Sequence, residues 1–369
     1  MLDHKEERVM RTHTKNGCRE KSILRTISYK LLSFQTFLML FQSAITTLLI
    51  LPALFSCIKV PTGNGSPDTL VRTMMKIAGN PVPSGQLDVF TFNSAGGGYL
   101  DSYQHHEAFY GKDLEIRSQS GAKEIFICIN GQRDRYGWTG ISSKSSLDDI
   151  YIDLKLERRE ALCSTCEGRV MAGDEATYMM ELRSMATEIV LNTIRCDFRG
   201  KSYEGEMLTD VKVYLTNVNC RCRITDDGDI LPLDIINTGR LDLEDISDFT
   251  EPDMIYQEMG EDIGSSGVNA GMSFICYPNA CLKESPGTPF TRLVIEGSIN
   301  GETFWWPVDI NRQEGAEEPG IHRNRRYIFD IVITRKGASD PDTVLERDVL
   351  ETDMRIKPWK EKEGQEVIF

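Results

Sequence analysis

Ten cysteines and five histidines are the residues of this chain best suited to nucleophilic, metal or redox chemistry. Cys163-Ser-Thr-Cys166 and Cys220-Arg-Cys222 offer four thiols, but the 53-residue gap between them and the Cys-x-Cys half match no common zinc spacing. In an exported chain such thiols serve as disulfides or as small buried side chains, with Cys163–Cys166 and Cys276–Cys281 as candidate local bridges. A redox Cys-x-x-Cys would need a following helix in a βαβ setting, and that pattern is missing. Among His4, His13, His105, His106 and His322 only the middle pair is adjacent, and neighbours on a strand point to opposite faces. Asp226-Asp227-Gly228-Asp229 begins like a calcium loop but lacks the closing Glu at the EF-hand spacing, so it reads as a turn. There is no phosphate loop, no His-Glu-x-x-His and no Gly-x-Ser-x-Gly. The residues therefore predict a non-enzymatic chain, and no cofactor or metal is expected.

Charge narrows the partners. Residues 1–56 hold eight basic and four acidic residues, a net +4 that leaves −18 on the remainder of a chain whose total is −14. An acidic body repels phosphate backbones, which argues against nucleic acid. Between Lys30 and Lys59 run 28 uncharged residues, enough at ~1.5 Å per residue to cross a ~30 Å hydrocarbon core. A basic stretch, an apolar stretch and Leu54-Phe55-Ser56-Cys57 have the order of a bacterial lipoprotein signal. That resemblance implies lipid on the Cys57 thiol and cleavage that makes Cys57 the new terminus; the alternative is an uncleaved membrane anchor. Either reading places the body outside the cytoplasm.

The body, about 310 residues long, reads as strands. Thr69–Ile77 alternates Val71, Thr73, Met75 and Ile77 with Leu70, Arg72, Met74 and Lys76. Gln86–Phe92 is apolar on both faces, and Glu124–Ile129 is a continuous apolar run ending at the turn pair Asn130-Gly131. Further strands are expected at 211–217, 271–277, 291–297, 303–309 and 326–334. Residues 148–159 fit helix or strand, 179–194 leans to strand through its β-branched half, and acidic 241–267 reads as a surface excursion. Near the end, Leu350, Thr352, Met354, Ile356 and Pro358 alternate with Glu351, Asp353, Arg355 and Lys357. Short strands separated by Gly, Pro and Asn turns, with few long helices, predict an all-β chain of sandwiches rather than a parallel α/β fold. Turn signals at 197–203 place a boundary there, giving a leader (1–57), one domain at 58–200 and another at 201–369. Trp305, Trp306 and Trp359 are expected as core or groove fillers, with a sugar platform as the alternative.

From Cys57 to Phe369 the chain resembles the Bacteroidales fimbrillins. The likeness rests on the leader, Leu87–Phe92, Ile125–Gly131, 179–197, Val211–Asn217, the Arg323-Asn-Arg-Arg-Tyr327 start of a strand, and Met354-Arg-Ile-Lys-Pro-Trp359. It implies two tandem transthyretin-like β-sandwiches and a lipoprotein precursor held at the outer membrane through Cys57. It also implies a trypsin-like protease that cuts in the first strand, for which Arg72-Thr73 is the first choice and Lys76 the second. The groove so opened takes the carboxy-terminal strand of another copy or of a related pilus subunit. Here that donor starts at about residue 349 and carries Leu350, Thr352, Met354, Ile356 and Trp359. The implied product is a cell-surface fimbrium. The alternatives are a non-polymerising surface adhesin or a tip or accessory subunit, and a tail that is simply the last strand of its own sandwich.

Overall fold

The period-two pattern near the start of the body forms β1 (Val71–Ala78), with Thr73, Met75 and Ile77 turned into the core. The computed structural model describes residues 70–78, 84–111, 113–136, 138–225, 232–343, 345 and 350–359, so the leader with Cys57, and Val349, lie outside the described residues. After β1 come β2 (Ser84–Asn93), β3 (Leu100–Tyr110), β4 (Asp113–Ser118), β5 (Gly121–Ile129), β6 (Tyr151–Asp153), β7 (Ser164–Ala172), β8 (Thr177–Glu181) and β9 (Arg183–Ser184). β1 is the middle strand of a three-stranded sheet, antiparallel to β4 and parallel to β8. A five-stranded sheet in the order β3-β2-β5-β7-β9 faces it across a core that includes Met75, Ile77, Val89, Ile116 and Ile127.

The other face of the five-stranded sheet is also covered. Phe90, Phe92 and Phe126 pack beneath residues 131–163, which supply Trp138, Leu147 and Ile152. This explains why β2 and β5 read as apolar on both faces. Residues 148–159 are neither one helix nor one strand; they contain β6 followed by a single 3₁₀ turn, Leu154–Leu156. His105 and His106 on β3 part company as alternation requires. His105 Nδ1 lies 2.7 Å from Asp88 Oδ1, whereas His106 stacks edgewise with Phe109.

The second half contributes β10 (Thr187–Cys196), β11 (Thr209–Thr216), β12 (Val218–Asn219), β13 (Arg221–Arg223), β14 (Ile235–Ile236), β15 (Tyr256–Glu258), β16 (Val268–Cys276), β17 (Arg292–Ile299), β18 (Glu302–Asp309), β19 (Arg325–Ile333) and β20 (Leu350–Pro358). Two four-stranded sheets, β16-β10-β19-β20 and β15-β11-β17-β18, share one core containing Leu191, Phe274, Phe329, Leu215, Ile295 and Trp306. Asn300 and Gly301, both with positive φ, form the two-residue turn that joins β17 to β18. Trp306 is fully buried and its indole N–H donates to the Arg335 carbonyl at 3.0 Å.

Among the described residues β10 pairs with β16 and β19, both from later chain. The amide of Met185 still bonds back to Cys163, while the Ala186 carbonyl already accepts from Asn324. β9 and β10 thus join different sheets, although β6 pairs antiparallel with β13 from later in the chain.

The two halves meet at Glu157. Its carboxylate accepts from the Cys163 amide (3.0 Å), the Tyr277 hydroxyl (2.9 Å) and the Gln132 side chain (3.2 Å). Burial dominates over these hydrogen bonds and pushes the carboxyl up to about 7. The folded state thus holds this proton more tightly than an unfolded Glu does. The group's contribution to stability is complete below the unfolded value near 4.5 and is lost as pH rises through 7, by about 3 kcal/mol in all. Glu157→Gln is expected to flatten the decline of the melting temperature between pH 5 and pH 8; a variant that keeps the wild-type slope would assign the titration to another group.

Candidate strand-exchange interface

β1 carries the expected cut. Arg72 points outward, 70% exposed at its side chain, with Nε 3.5 Å from Glu115 Oε1. Thr73 is buried, and its hydroxyl finds no hydrogen-bond partner among the described residues. On one side the Arg72-Thr73 bond is flanked by β4, through the pairs Arg72↔Arg117 and Thr73↔Ile116; on the other, pairing with β8 begins only at Met74↔Thr177. A cut here leaves Thr73, Met75 and Ile77 on the body. A cut after Lys76, which is also exposed, carries Thr73 and Met75 away.

β20 lies in the other half of the molecule, at the edge of its sheet, antiparallel to β19 from Leu350↔Ile333 to Pro358↔Arg325. The structure therefore does not bring the cut residues and the tail together within one chain. Leu350 and Met354 are partly buried against the core, Thr352 is exposed and Ile356 is 40% exposed. Leu350 and Met354, with Val308, Phe329, Leu345 and Arg292, line a groove of about 870 Å³ between β18 and β20. On the strand's outward face Arg355 pairs with Asp330 at 2.7 Å. Partial burial raises the Asp330 carboxyl, but hydrogen bonds from Thr193 and Asn192 and the Arg355 charge outweigh it and hold the group below its ordinary value.

The Arg323–Tyr327 segment turns out to be the knot that fixes both halves and the end of the tail. Arg323 donates to the Ser184 and Arg183 carbonyls and to Thr165 Oγ1 at 2.8–3.2 Å. Asn324, with φ 58°, accepts from the Ser184 amide through its side chain and from the Trp359 amide, at 3.0 Å, through its carbonyl. Tyr327 donates to the Gly320 carbonyl at 3.1 Å. Trp359, 9% exposed, is thereby seated in the core. Two features had no local signal in the sequence: the flanking of β1 by β8, more than a hundred residues away in the chain, and the buried Arg292 held by Glu284, Asp309 and Asp342. Among the described residues no cluster of three or more His, Cys, Asp or Glu is placed to hold a metal ion.

Comparison with solved structures finds this architecture elsewhere. A candidate cell adhesion protein from Bacteroides eggerthii superposes with a TM-score of 0.59 at 15% identity, over 80% of this chain and 98% of that one. A fimbrilin from Porphyromonas gingivalis gives 0.57 at 13% identity, over 79% and 97%. The tip fimbrial protein Mfa3 of the same organism, truncated at its C-terminus, gives 0.50 at 11% identity, over 78% and 100%. No protein-family model and no curated protein matches the sequence. At these identities the likeness establishes a shared all-β fold.

Proposed function

We propose that the protein is a non-enzymatic structural subunit of a cell-surface pilus. In this reading it is made as a lipoprotein anchored through Cys57, folds as two tandem transthyretin-like sandwiches, and polymerises when a protease opens β1 and another copy's tail takes its place. One observation carries the reading. The tail repeats the first strand: Val71, Thr73, Met75 and Ile77 face the core from β1, and Leu350, Thr352, Met354 and Ile356 follow one another at the same spacing in β20. Three of the four pairs are identical, and they are the residues a β1 site selects by shape, while the intervening positions differ freely. A strand fits a sheet slot through backbone bonds on both edges and side-chain pockets on alternate residues, so a copy of the inward face is what a replacement strand requires.

On this reading the cut has a definite task. Cleavage after Arg72 turns β1 from an internal strand into a terminal one, which frays and can be displaced from between β4 and β8. Cleavage after Lys76 removes most of the strand outright. Amino-terminal sequencing of material recovered from the native cell surface tests this: a start at Thr73 or Ile77 is expected, and Arg72→Ala with Lys76→Ala should leave uncut monomer. Fibres in which residues 69–77 remain paired would defeat the proposal. The second reading, a surface adhesin that never polymerises, draws on the tail's complete pairing with its own β19. It predicts monomers after cleavage.

A further inference from the structure

We propose that Cys128 and Cys163 form a disulfide as the chain folds outside the cytoplasm. Their sulfurs lie 3.5 Å apart, Cys128 near the end of β5 and Cys163 immediately before β7. Cys128 pairs with Thr165 one rung inside the end of the β5–β7 ladder at Ile129↔Ser164, and Cys163 lies just beyond that end, on the side from which the remaining gap to a bonded length near ~2.05 Å would close. Gly131 keeps the space open: a Cβ there would come within 2.6 Å of the Cys128 sulfur and 2.4 Å of the Trp138 ring. The pairing differs from the local bridge expected by spacing, because Cys163 faces the core beneath residues 131–163 whereas Cys166 faces the core between the first two sheets. Nor is Cys281 turned to Cys276; its thiol donates to the Thr288 carbonyl.

The bond would close the base of the 131–163 excursion, the segment that places Trp138 and Leu147 over the sheet and Glu157 against Tyr277. With both thiols at most 1% exposed, and burial raising the Cys128 thiol, the folded protein resists attack. The reaction therefore belongs to the folding chain. One cysteine thiolate attacks the disulfide of an oxidised dithiol partner and releases one partner thiolate. The second cysteine then attacks the mixed disulfide and releases the other. The chain loses two electrons and two protons, and the partner's disulfide becomes two thiols.

The test uses the full chain, denatured and reduced, then refolded with a mixture of reduced and oxidised glutathione. Free thiols are alkylated in denaturant and the digest is weighed. The peptides bearing Cys128 and Cys163 are expected joined, two hydrogens lighter than their sum, with Cys166, Cys196, Cys220, Cys222, Cys276 and Cys281 alkylated. Recovery of Cys128 and Cys163 as separate alkylated peptides, or joined to other cysteines, would overturn the proposal.

Discussion

Replacing Ile356 with Asp is expected to abolish assembly while leaving the monomer almost unchanged. In its own chain Ile356 is an exposed position on an edge strand, where a substitution costs about 0.5–1 kcal/mol. Donated to another copy in the register set by the repeated Thr-x-Met-x-Ile spacing, the same residue would replace Ile77, which is 1% exposed and walled by the first core. An unpaired carboxylate there costs several kcal/mol, so the yield of polymer should fall at least a hundredfold. Asp353→Lys, on the tail's outward face, should assemble normally. The readout is an SDS-resistant ladder after trypsin-like cleavage, beside a thermal melt of the uncut monomer. An I356D chain that forms ladders like the wild type would refute the exchange register; a monomer melting many degrees lower would show that the tail's main task is to complete its own sheet.

Most strands with an alternating or continuous apolar pattern were legible in the sequence, whereas β7, which buries Thr165, Cys166, Val170 and Ala172, was not. β1, β2, β5, β11 and β16–β19 each carry an alternating or continuous apolar pattern, and each lies where that pattern put it within a few residues. β3, with Asp101, Gln104, His105, His106 and Glu107, has no such pattern because it is an edge strand whose side chains are mostly part-exposed. The turn leading into it is Ala95–Gly98, whose three glycines have positive φ. Residues 148–159 defeated any periodicity reading because they hold only a three-residue strand, β6, paired with β13, and a 3₁₀ turn. In the site, the tail's alternation was visible and so was the Arg323–Tyr327 signature, but not what that signature ties together. Its partners at 165, 183, 184 and 359 are distant in the chain, and hydrogen bonds between distant backbone groups leave no trace in local composition. The correspondence between β1 and β20 lay in the letters throughout; it acquired meaning only once the inward faces were known.

Arg292→Ala is expected to cost about 3 kcal/mol of folding stability, and its effect should reach the tail. The guanidinium is 3% exposed and uses every edge of its fork: Nε to Asp309 and Nη1 to Asp342, both at 2.7 Å, and Nη2 to both oxygens of Glu284 at 2.8 and 2.9 Å. Truncation leaves three carboxylates facing one another with no cation between them, the costly way to break a buried pair. Their own exposure of 32–52% lets water take up part of the charge, which keeps the figure at the lower end of the range for such losses. Arg292→Lys should recover little, since one ammonium cannot serve three acceptors in a plane. Asp342 is the last of these partners before the chain runs on to β20, and Arg292 also lines the groove beside Leu350 and Met354. Loss of the guanidinium therefore frees the stretch that launches the tail. Denaturant unfolding should report the stability loss, and hydrogen exchange at 350–358 should quicken more than at β10 in the same sheet. Equal acceleration across both strands would mean that Arg292 holds the sandwich together without any particular hold on the tail.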